Sequence, residues 1–318
     1  MEILGIYIPT HNRSKELKEC INSFLPQIKK YKIPLYISDN GSTDNTEEMV
    51  LKMKKRYNKI YYKNTGKNLG YACNVVNVLK MGCTEFVWLF GDDDVINKGA
   101  IKTIISNLNN GYDFLQINAT LYDSKLKHKI KNRIITSHHN VKYNIGDHDK
   151  VLLNAKSDGF IGYMGGIITR KILLDKELLK LNKDKITEMD FIHITLFFNS
   201  IKNKKGKLLA TPIIKYRSGN GHFKETAIEI WFKKYPEAIN NLGSPYSPKI
   251  LKQIVNNHNL PIFVFFHKLY FSQLSKQNRQ IILENKNITF LDKALSICIL
   301  KTPQLFIELS YKLFRKRP

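Results

Sequence analysis

Acidic residues are few in this chain, and basic residues are in large excess. Over 318 residues it has 51 lysines and arginines against 27 acids, a formal charge of +24. Such an excess usually indicates a nucleic-acid or anionic-membrane partner. A nucleic-acid surface needs a basic patch interleaved with aromatic residues, whereas the charge here is scattered until the last part of the sequence. The composition therefore argues against nucleic acid as a partner.

Cysteine is scarce, and there is no long hydrophobic run. None of the four cysteines has CxxC pairing or metal-ligand spacing: Cys20, Cys73, Cys83 and Cys298. This favours reduced, structural cysteines in a cytosolic protein. The sequence does not open with a basic segment followed by an apolar core, so we expect no export. The longest strongly apolar run, residues 262–266, is far shorter than the roughly 20 residues that span a bilayer, so we expect no integral membrane protein.

Apolar residues make up 43% of the chain, enough for a large core, and the first part alternates between two patterns. Short apolar or β-branched runs at 3–9, 35–38, 60–63 and 85–90 predict strands. Periodic apolar positions at 12–24, around 49–53 and at 71–80 predict helices. Asp44 and Glu47 have the spacing of a capping box for the second helix. Alternation with short links predicts an α/β fold, with a mostly parallel sheet covered by helices on both faces.

Three consecutive acids follow the fourth predicted strand. The apolar run that begins at Phe86 ends at Gly91, and Asp92, Asp93 and Asp94 come next. Open α/β folds bind ligands at the carboxyl edge of the sheet. Adjacent carboxylates repel one another, and a divalent cation with substrate phosphates would hold them together. The alternative is a solvated acidic turn that caps the next helix, and the three acids alone leave both interpretations open.

Polar residues also follow the other three predicted strands. Asn12 and Arg13 follow the first, Asp39 follows the second, and Asn68 and Gly70 follow the third. All should lie at the same sheet edge as the acids, where they could contact a nucleotide. Asp39 could instead be a turn residue that caps the backbone, and Asn68 with Gly70 an ordinary loop.

Four ordered motifs resemble the nucleotide-sugar domain of family 2 glycosyltransferases. They are Ile8-Pro-Thr-His-Asn-Arg13, Ser38-Asp-Asn-Gly-Ser-Thr-Asp44, Asn68-Leu-Gly-Tyr-Ala-Cys-Asn74 and Trp88-Leu-Phe-Gly-Asp-Asp-Asp-Val95. The resemblance covers residues 1–120 and implies the Rossmann-like glycosyltransferase-A fold. Bacterial O-antigen and capsule sugar transferases of the abequosyltransferase-like kind are also similar in their Asp-Asp-Asp and Phe-Ile-His motifs.

The resemblance implies roles for individual residues. Pro9 and Thr10 would line the nucleoside pocket, Asp39 would accept a hydrogen bond from the base, and Asn68 and Asn74 would support the base or ribose. The acid triplet would be the DxD site of the family, which binds Mn²⁺ or Mg²⁺.

One departure from the family pattern affects the metal ligands. The usual pattern is Leu-Asp-x-Asp-Asp, and alignment on Val95 places Gly91 where the first Asp stands. The ligands would then be Asp92 and Asp94, which we favour, or Asp93 and Asp94. Asp92 and Asp93 are also candidates for contact with the donor.

A second region resembles the part of the family that carries the catalytic base. A Gly-rich strand at 160–170 precedes Thr187-Glu-Met-Asp-Phe-Ile-His193, where relatives have an acidic pair that deprotonates the acceptor. Met189 separates Glu188 from Asp190, so the two would face different sides of a helix, and only one can be the base. We favour Asp190, because apolar residues typical of a buried helix follow it. His193 could orient that acid, bind substrate, or be a hydrogen-bonded core histidine.

The end of the chain is basic and amphipathic. Residues 249–318 have 12 basic residues against 3 acids. An apolar stripe is formed by Leu305, Phe306, Leu309 and Leu313, and a basic end follows at 315–317. The pattern predicts C-terminal helices that contact an anionic membrane surface. The alternative is a helix packed on the catalytic domain with a solvated basic tail.

The sequence thus predicts a donor-binding half at 1–120, an acceptor-binding half at 121–222, and a C-terminal helical extension at 223–318. The predicted function is that of an inverting glycosyltransferase dependent on Mn²⁺ or Mg²⁺. It would move a sugar from a nucleotide-sugar donor to a lipid-linked glycan acceptor in lipopolysaccharide or capsule synthesis, as a cytoplasmic enzyme peripheral on the inner face of the plasma membrane. One alternative is a sugar nucleotidyltransferase, which normally needs a Gly-rich phosphate loop with a lysine near the first strand. The other is a non-enzymatic nucleic-acid-binding protein.

Overall fold

The computed structural model describes residues 2–155, 160–218, 227–255, 276–284, 288–303 and 307. The chain divides into two compact units, one of residues 1–220 and 242–250 and the other of residues 221–241 and 251–318. The predicted stripe at Leu305 to Leu313 and the basic end at 315–317 lie outside the described residues. In the described part, no helix combines the length and the apolar character that crossing a membrane requires.

The strands of the first unit belong to one sheet. They are β1 (Leu4–Thr10), β2 (Leu35–Asp39), β3 (Ile60–Asn64), β4 (Phe86–Leu89), β5 (Val95–Ile96), β6 (Phe114–Tyr122), β7 (Lys129–Lys131), β8 (Val141–Tyr143), β9 (Ile167–Arg170) and β10 (Gly206–Arg217). Its order is β3-β2-β1-β4-β9-β6-β10-β5, with β7 beside β6 and β8 beside β10. The β3-β2-β1-β4 part is parallel, and β9 is antiparallel to both β4 and β6.

The helices of the first unit connect these strands. They are α1 (Ser14–Tyr31), α2 (Thr46–Arg56), α3 (Tyr71–Leu79), α4 (Ala100–Leu108), α5 (His148–Asn154), α6 (Lys171–Leu179) and α7 (Ile192–Ser200), with a 3-10 helix at Lys183–Glu188. α1 is longer than predicted and continues past Pro26. The predicted capping box is wrong, because Asp44 Oδ1 accepts from the amide of Thr46 and its Oδ2 from the amide of Ser14. One carboxylate thus serves the first turns of α1 and α2.

An aromatic cluster supports the strand that leads to the acids. Phe24 of α1 contacts Trp88 and Phe90 edge to face, with ring centroids 5.7 and 4.9 Å apart. All three side chains are fully buried, and the indole Nε1 of Trp88 donates to the carbonyl of Gly165 at 2.9 Å. Because Phe90 directly precedes Gly91, this packing fixes the point where the acid turn begins.

The second unit is helical where it is described. It contains α8 (Ala227–Glu229), a π-helical segment (Ile230–Lys234), α9 (Tyr235–Asn240), α11 (Lys276–Glu284) and α12 (Phe290–Lys301), while α10 (Pro248–Val255) begins in the first unit. Ile228, Phe232 and Ile282 form its buried centre. Together with the sheet, these helices confirm the predicted α/β architecture with a C-terminal helical extension.

Candidate functional site

The strands of the parallel half end in register at one edge. Thr10 pairs with Asp39, and Asp39 pairs with Asn64, at the carboxyl ends of β1, β2 and β3. β4 is parallel to β1, so the acid turn that follows it lies at the same edge. The predicted convergence of these loops is confirmed.

The acid turn is buried and charge-paired, so the alternative of a solvated turn that caps the next helix is wrong. Asp92 and Asp94 are only 7% and 2% exposed, and no side chain caps α4. Asp92 Oδ2 accepts from the hydroxyl of Thr10 at 2.8 Å. Arg13 Nη1 lies 3.3 Å from Asp92 Oδ1 and 2.8 Å from Asp93 Oδ2. One guanidinium therefore offsets part of the repulsion within the triplet.

Burial raises the pKa of two of these acids. Desolvation raises the pKa of Asp92 to about 7, against the opposing effect of the Arg13 charge. Desolvation also raises the pKa of Asp94 well above its usual range, and the neighbouring Asp93 charge adds to this. Burial therefore makes it costly for all three acids to be ionised together.

Arg217 of β10, which belongs to none of the sequence motifs, holds the acid turn in place. Its backbone amide donates to Asp94 Oδ1 at 2.8 Å, and its Nε donates to the carbonyl of Asp93 at 2.7 Å. Its Nη1 donates to the carbonyl of Ser124 at 3.0 Å, and its Nη2 lies 2.6 Å from Glu19 Oε2. No sequence pattern links residues 123 positions apart, so only the fold could show this contact.

Two carboxylate oxygens of the turn accept no hydrogen bond from any described residue: Asp93 Oδ1 and Asp94 Oδ2. Both face the missing side chain of Gly91, since a Cβ built there would lie 3.3 and 3.1 Å from them. Carboxylate oxygens are the ligands that Mg²⁺ and Mn²⁺ prefer. Among the described residues no group of three or more His, Cys, Asp or Glu side chains is arranged to hold a metal ion. The pair therefore fits a cation that takes its remaining ligands from phosphates and water.

The loops after β2 and β3 are joined around Asn40, another residue missed in the sequence. Its Nδ2 donates to Asn68 Oδ1 at 2.8 Å and to the carbonyl of Gly70 at 3.2 Å, and its Oδ1 accepts from the amide of Leu69. Asn40 is buried, whereas Asn68 and Gly70 are exposed. A buried asparagine thus fixes the shape of an exposed polar rim.

Asp39 and Asn12 shape the loops nearest to that rim. Asp39 is fully buried, its Oδ1 accepts from the amide of Ser42, and its Oδ2 accepts from the hydroxyl of Tyr62 at 2.6 Å. The turn-capping interpretation of Asp39 is therefore observed, and contact with a base stays a prediction. Asn12 is exposed, has a positive φ of 51°, and accepts from the amide of Thr43 at 2.7 Å.

Asn74 and Pro9 lie below the surface of the edge. Asn74 Nδ2 donates to the carbonyl of Thr10 at 3.1 Å, and its buried Oδ1 has no hydrogen-bond partner among the described residues. Pro9 and Thr10 are both buried in β1. Their predicted contact with a nucleoside stays a prediction.

The sequence pattern predicts Glu188 and Asp190 within one helix, and the structure shows that this prediction is wrong. Glu188 ends the 3-10 helix and is exposed, Asp190 is partly buried in the following turn, and α7 begins at Ile192. The predicted burial of the helix after Asp190 is confirmed. Glu188 and Asp190 thus differ in exposure rather than in helix face.

His193 is a hydrogen-bonded, buried histidine. Its Nε2 lies 2.9 Å from the carbonyl of Gly162, which can only accept, so Nε2 carries the proton. Its Nδ1 then accepts from the hydroxyl of Tyr71, 2.7 Å away at the start of α3. Burial lowers the pKa of His193 to about 4. The neutral ring therefore connects the loop of Asn68 and Gly70 to the helix that follows Asp190.

Comparison with known proteins identifies the relatives of this chain. A family model described as Glycosyl transferase family 2 matches residues 5–175. Abequosyltransferase RfbV of Salmonella typhimurium is 34% identical over 113 residues, which are 35% of this chain and 34% of RfbV. A GalNAc(5)-diNAcBac-PP-undecaprenol beta-1,3-glucosyltransferase of Campylobacter jejuni is 33% identical over 113 residues, 35% of this chain and 36% of the relative. The chain thus spans about a third of the length of these curated relatives.

Solved structures share the fold over most of the chain. A fragment of S. aureus TarS in complex with UDP-GlcNAc has a TM-score of 0.59 at 18% identity, over 94% of this chain and 80% of that one. A mannosyltransferase from Pyrobaculum calidifontis in complex with GDP-Man and Mn²⁺ has a TM-score of 0.56 at 11% identity, over 99% and 88%. At these identities the likeness concerns the fold alone, and it confirms the predicted glycosyltransferase-A architecture.

Proposed function

Because the chain belongs to the family 2 glycosyltransferases, we propose that it is an inverting enzyme dependent on a divalent cation. It transfers a sugar from a nucleotide-sugar donor to a hydroxyl of a lipid-linked glycan in the synthesis of a surface polysaccharide. The acceptor class is suggested by the Campylobacter relative, whose name describes an undecaprenol-linked substrate. The observation that carries the proposal is the acid turn at the carboxyl edge, where Asp93 Oδ1 and Asp94 Oδ2 lie 3.3 and 3.1 Å from the position that a Cβ of Gly91 would take.

We assign the cation to Asp93 and Asp94 rather than to the Asp92 and Asp94 pair that the sequence favours. Both oxygens of Asp92 are engaged, one by Thr10 and one by Arg13. A cation held there would act as a Lewis acid on the leaving diphosphate, whose negative charge grows in the transition state. Asp92 keeps a different task, which is to hold Arg13 at the donor edge.

Asp190 serves as the general base in this proposal. It is partly buried and close to the hydrogen-bonded pair of Tyr71 and His193. Burial raises the pKa of the Tyr71 hydroxyl, and the charge of Asp190 raises it further. Asp190 takes the proton of the acceptor hydroxyl as that oxygen attacks the anomeric carbon from the side opposite the diphosphate. Attack from the opposite side inverts the configuration. His193 positions this segment, since both of its ring nitrogens are already bonded.

Ligand-induced stabilisation tests the proposal before any acceptor is known. The purified chain is melted with UDP-, CDP-, GDP- and dTDP-sugars, each with Mn²⁺, with Mg²⁺ or with EDTA. A donor at 100 times its Kd stabilises the fold by about 2.7 kcal/mol, so one nucleotide should raise the Tm with metal and much less in EDTA.

Asp93→Asn should abolish the metal-dependent part of that shift. Asp175→Asn is the matched control, because Asp175 pairs with Lys171 on α6, away from the acid turn. Equal stabilisation of wild type by all nucleotides in EDTA would contradict the proposed metal dependence. Strong binding of oligonucleotides without any effect of sugar nucleotides would favour the nucleic-acid alternative.

A further inference from the structure

Arg217 connects three separate segments of the first unit. Its guanidinium reaches Glu19 of α1, the carbonyl of Asp93 in the acid turn, and the carbonyl of Ser124 after β6. Its side chain is only 5% exposed. A buried arginine whose Nε, Nη1 and Nη2 all donate is fixed in one orientation, because its planar fork matches the three acceptors at once.

These contacts orient the carboxylates of Asp93 and Asp94, each of which has one oxygen that accepts no hydrogen bond from the described residues. The Nε contact fixes the peptide after Asp93, and the backbone amide of Arg217 fixes Asp94 Oδ1. With Oδ1 held, the other oxygen of Asp94 lies 3.1 Å from the position that a Cβ of Gly91 would take, and Asp93 Oδ1 lies 3.3 Å from the same position. We propose that Arg217 is a positioning residue, which orients Asp93 and Asp94 for cation binding through its contacts with Asp93, Asp94 and Glu19.

The inference rests on the proposed function, since it assumes a cation at Asp93 and Asp94. Arg217 itself has no contact with that cation in this assignment. A cation gains affinity when its ligands are oriented before it arrives, and substitution of the residues that orient ligands typically costs about 10- to 100-fold in metal affinity. Substitution of Arg217 is therefore expected to weaken metal binding.

Arg217→Lys is the informative substitution. Lysine keeps the positive charge near the acids, so a change in cation affinity reports geometry rather than charge. It also keeps the backbone amide that donates to Asp94. Its single ammonium cannot reproduce the three-way fork. Glu19→Asp is a second variant, which keeps the negative charge at position 19 but moves the carboxylate away from Arg217 Nη2. It tests the orientation of Arg217 if Arg217→Lys does not fold.

A similar arginine at the opposite end of the sheet provides matched controls. Arg170 ends β9 and pairs with Glu85 at 2.5 Å and with Asp113 at 3.1 Å, next to the amino end of β4. Arg170→Lys and Glu85→Asp therefore disturb a comparable fork without a contact to the acid turn. Any general cost of loosening an ion pair between arginine and a carboxylate should appear in both sets of variants.

The experiment measures Mn²⁺ binding directly, by electron paramagnetic resonance of free Mn²⁺ at a temperature where each variant is folded. Arg217→Lys should weaken Mn²⁺ binding about 10- to 100-fold, Glu19→Asp should weaken it less, and both controls should match wild type. Equal Mn²⁺ affinity in Arg217→Lys, Glu19→Asp and wild type overturns the inference. If wild type itself binds no Mn²⁺ with or without a nucleoside diphosphate, the proposed metal dependence fails instead.

Discussion

The neutral, buried His193 makes the stability of the first unit sensitive to acid. Burial lowers the pKa of His193 to about 4 in the folded protein, against about 6.5 in an unfolded chain. Above pH 6.5 both states are neutral, and the contribution of His193 is fully present. Between pH 6.5 and 4 the unfolded state binds the proton first, so stability falls as the pH falls. The difference of about 2.5 pKa units corresponds to a total loss of about 3 kcal/mol.

Urea unfolding at several pH values measures this effect. Between pH 7.5 and 5 the wild type should lose about 2 kcal/mol through His193, because about 1.5 units of that range lie below its unfolded pKa. Replacement by glutamine removes the titration, so the difference in unfolding free energy between wild type and His193→Gln should shrink by the same amount. His139→Gln, at an exposed position, is the control and should leave the pH dependence unchanged. Parallel curves for wild type and His193→Gln across this range would refute the reasoning.

Three further predictions follow from the same contacts. Asp190→Asn should lower turnover by roughly 10²-fold or more with donor binding unchanged, whereas Glu188→Gln, at an exposed position, should stay active. The reverse result in a transfer assay would show that Glu188 is the base. Tyr62→Phe removes a hydrogen bond to the buried carboxylate of Asp39, so the free energy of unfolding in urea should fall by about 1.5–3 kcal/mol. An unchanged unfolding midpoint would contradict a stabilising role for that bond. Deletion of the residues after Lys301 should release the protein from phosphatidylglycerol liposomes in a flotation assay while donor hydrolysis persists; loss of the thermal transition would instead favour a tail packed on the catalytic domain.

The sequence predicted the parallel half of the fold well, because its strands and helices are local patterns. The apolar runs ending near Thr10, Asp39 and Leu89 each became a strand, within a residue or two of the predicted ends. In the sequence, Gly91 stands out as a departure from the family pattern. Only the structure shows that two carboxylate oxygens lie close to the position that a side chain at Gly91 would take.

Contacts between distant segments could not be predicted. Arg217 meets Asp94 across 123 positions, and Tyr71 meets His193 across 122. Neither pair has a spacing or composition that marks it, since the contact depends on which strands become neighbours in the sheet. The same limit explains why Asp190 was expected inside a helix: the apolar residues after it predict α7, but not that the helix begins two residues later at Ile192.

A crystal soaked with Mn²⁺ and a nucleoside diphosphate gives the most direct test of the cation assignment. An anomalous difference peak should appear beside Gly91, within about 2.0–2.6 Å of a carboxylate oxygen of both Asp93 and Asp94, with the diphosphate on its other side. The same soak of Asp94→Asn crystals should show no peak there. A peak at any other place, or a nucleotide bound away from the edge formed by Thr10 and Asp39, would contradict the account.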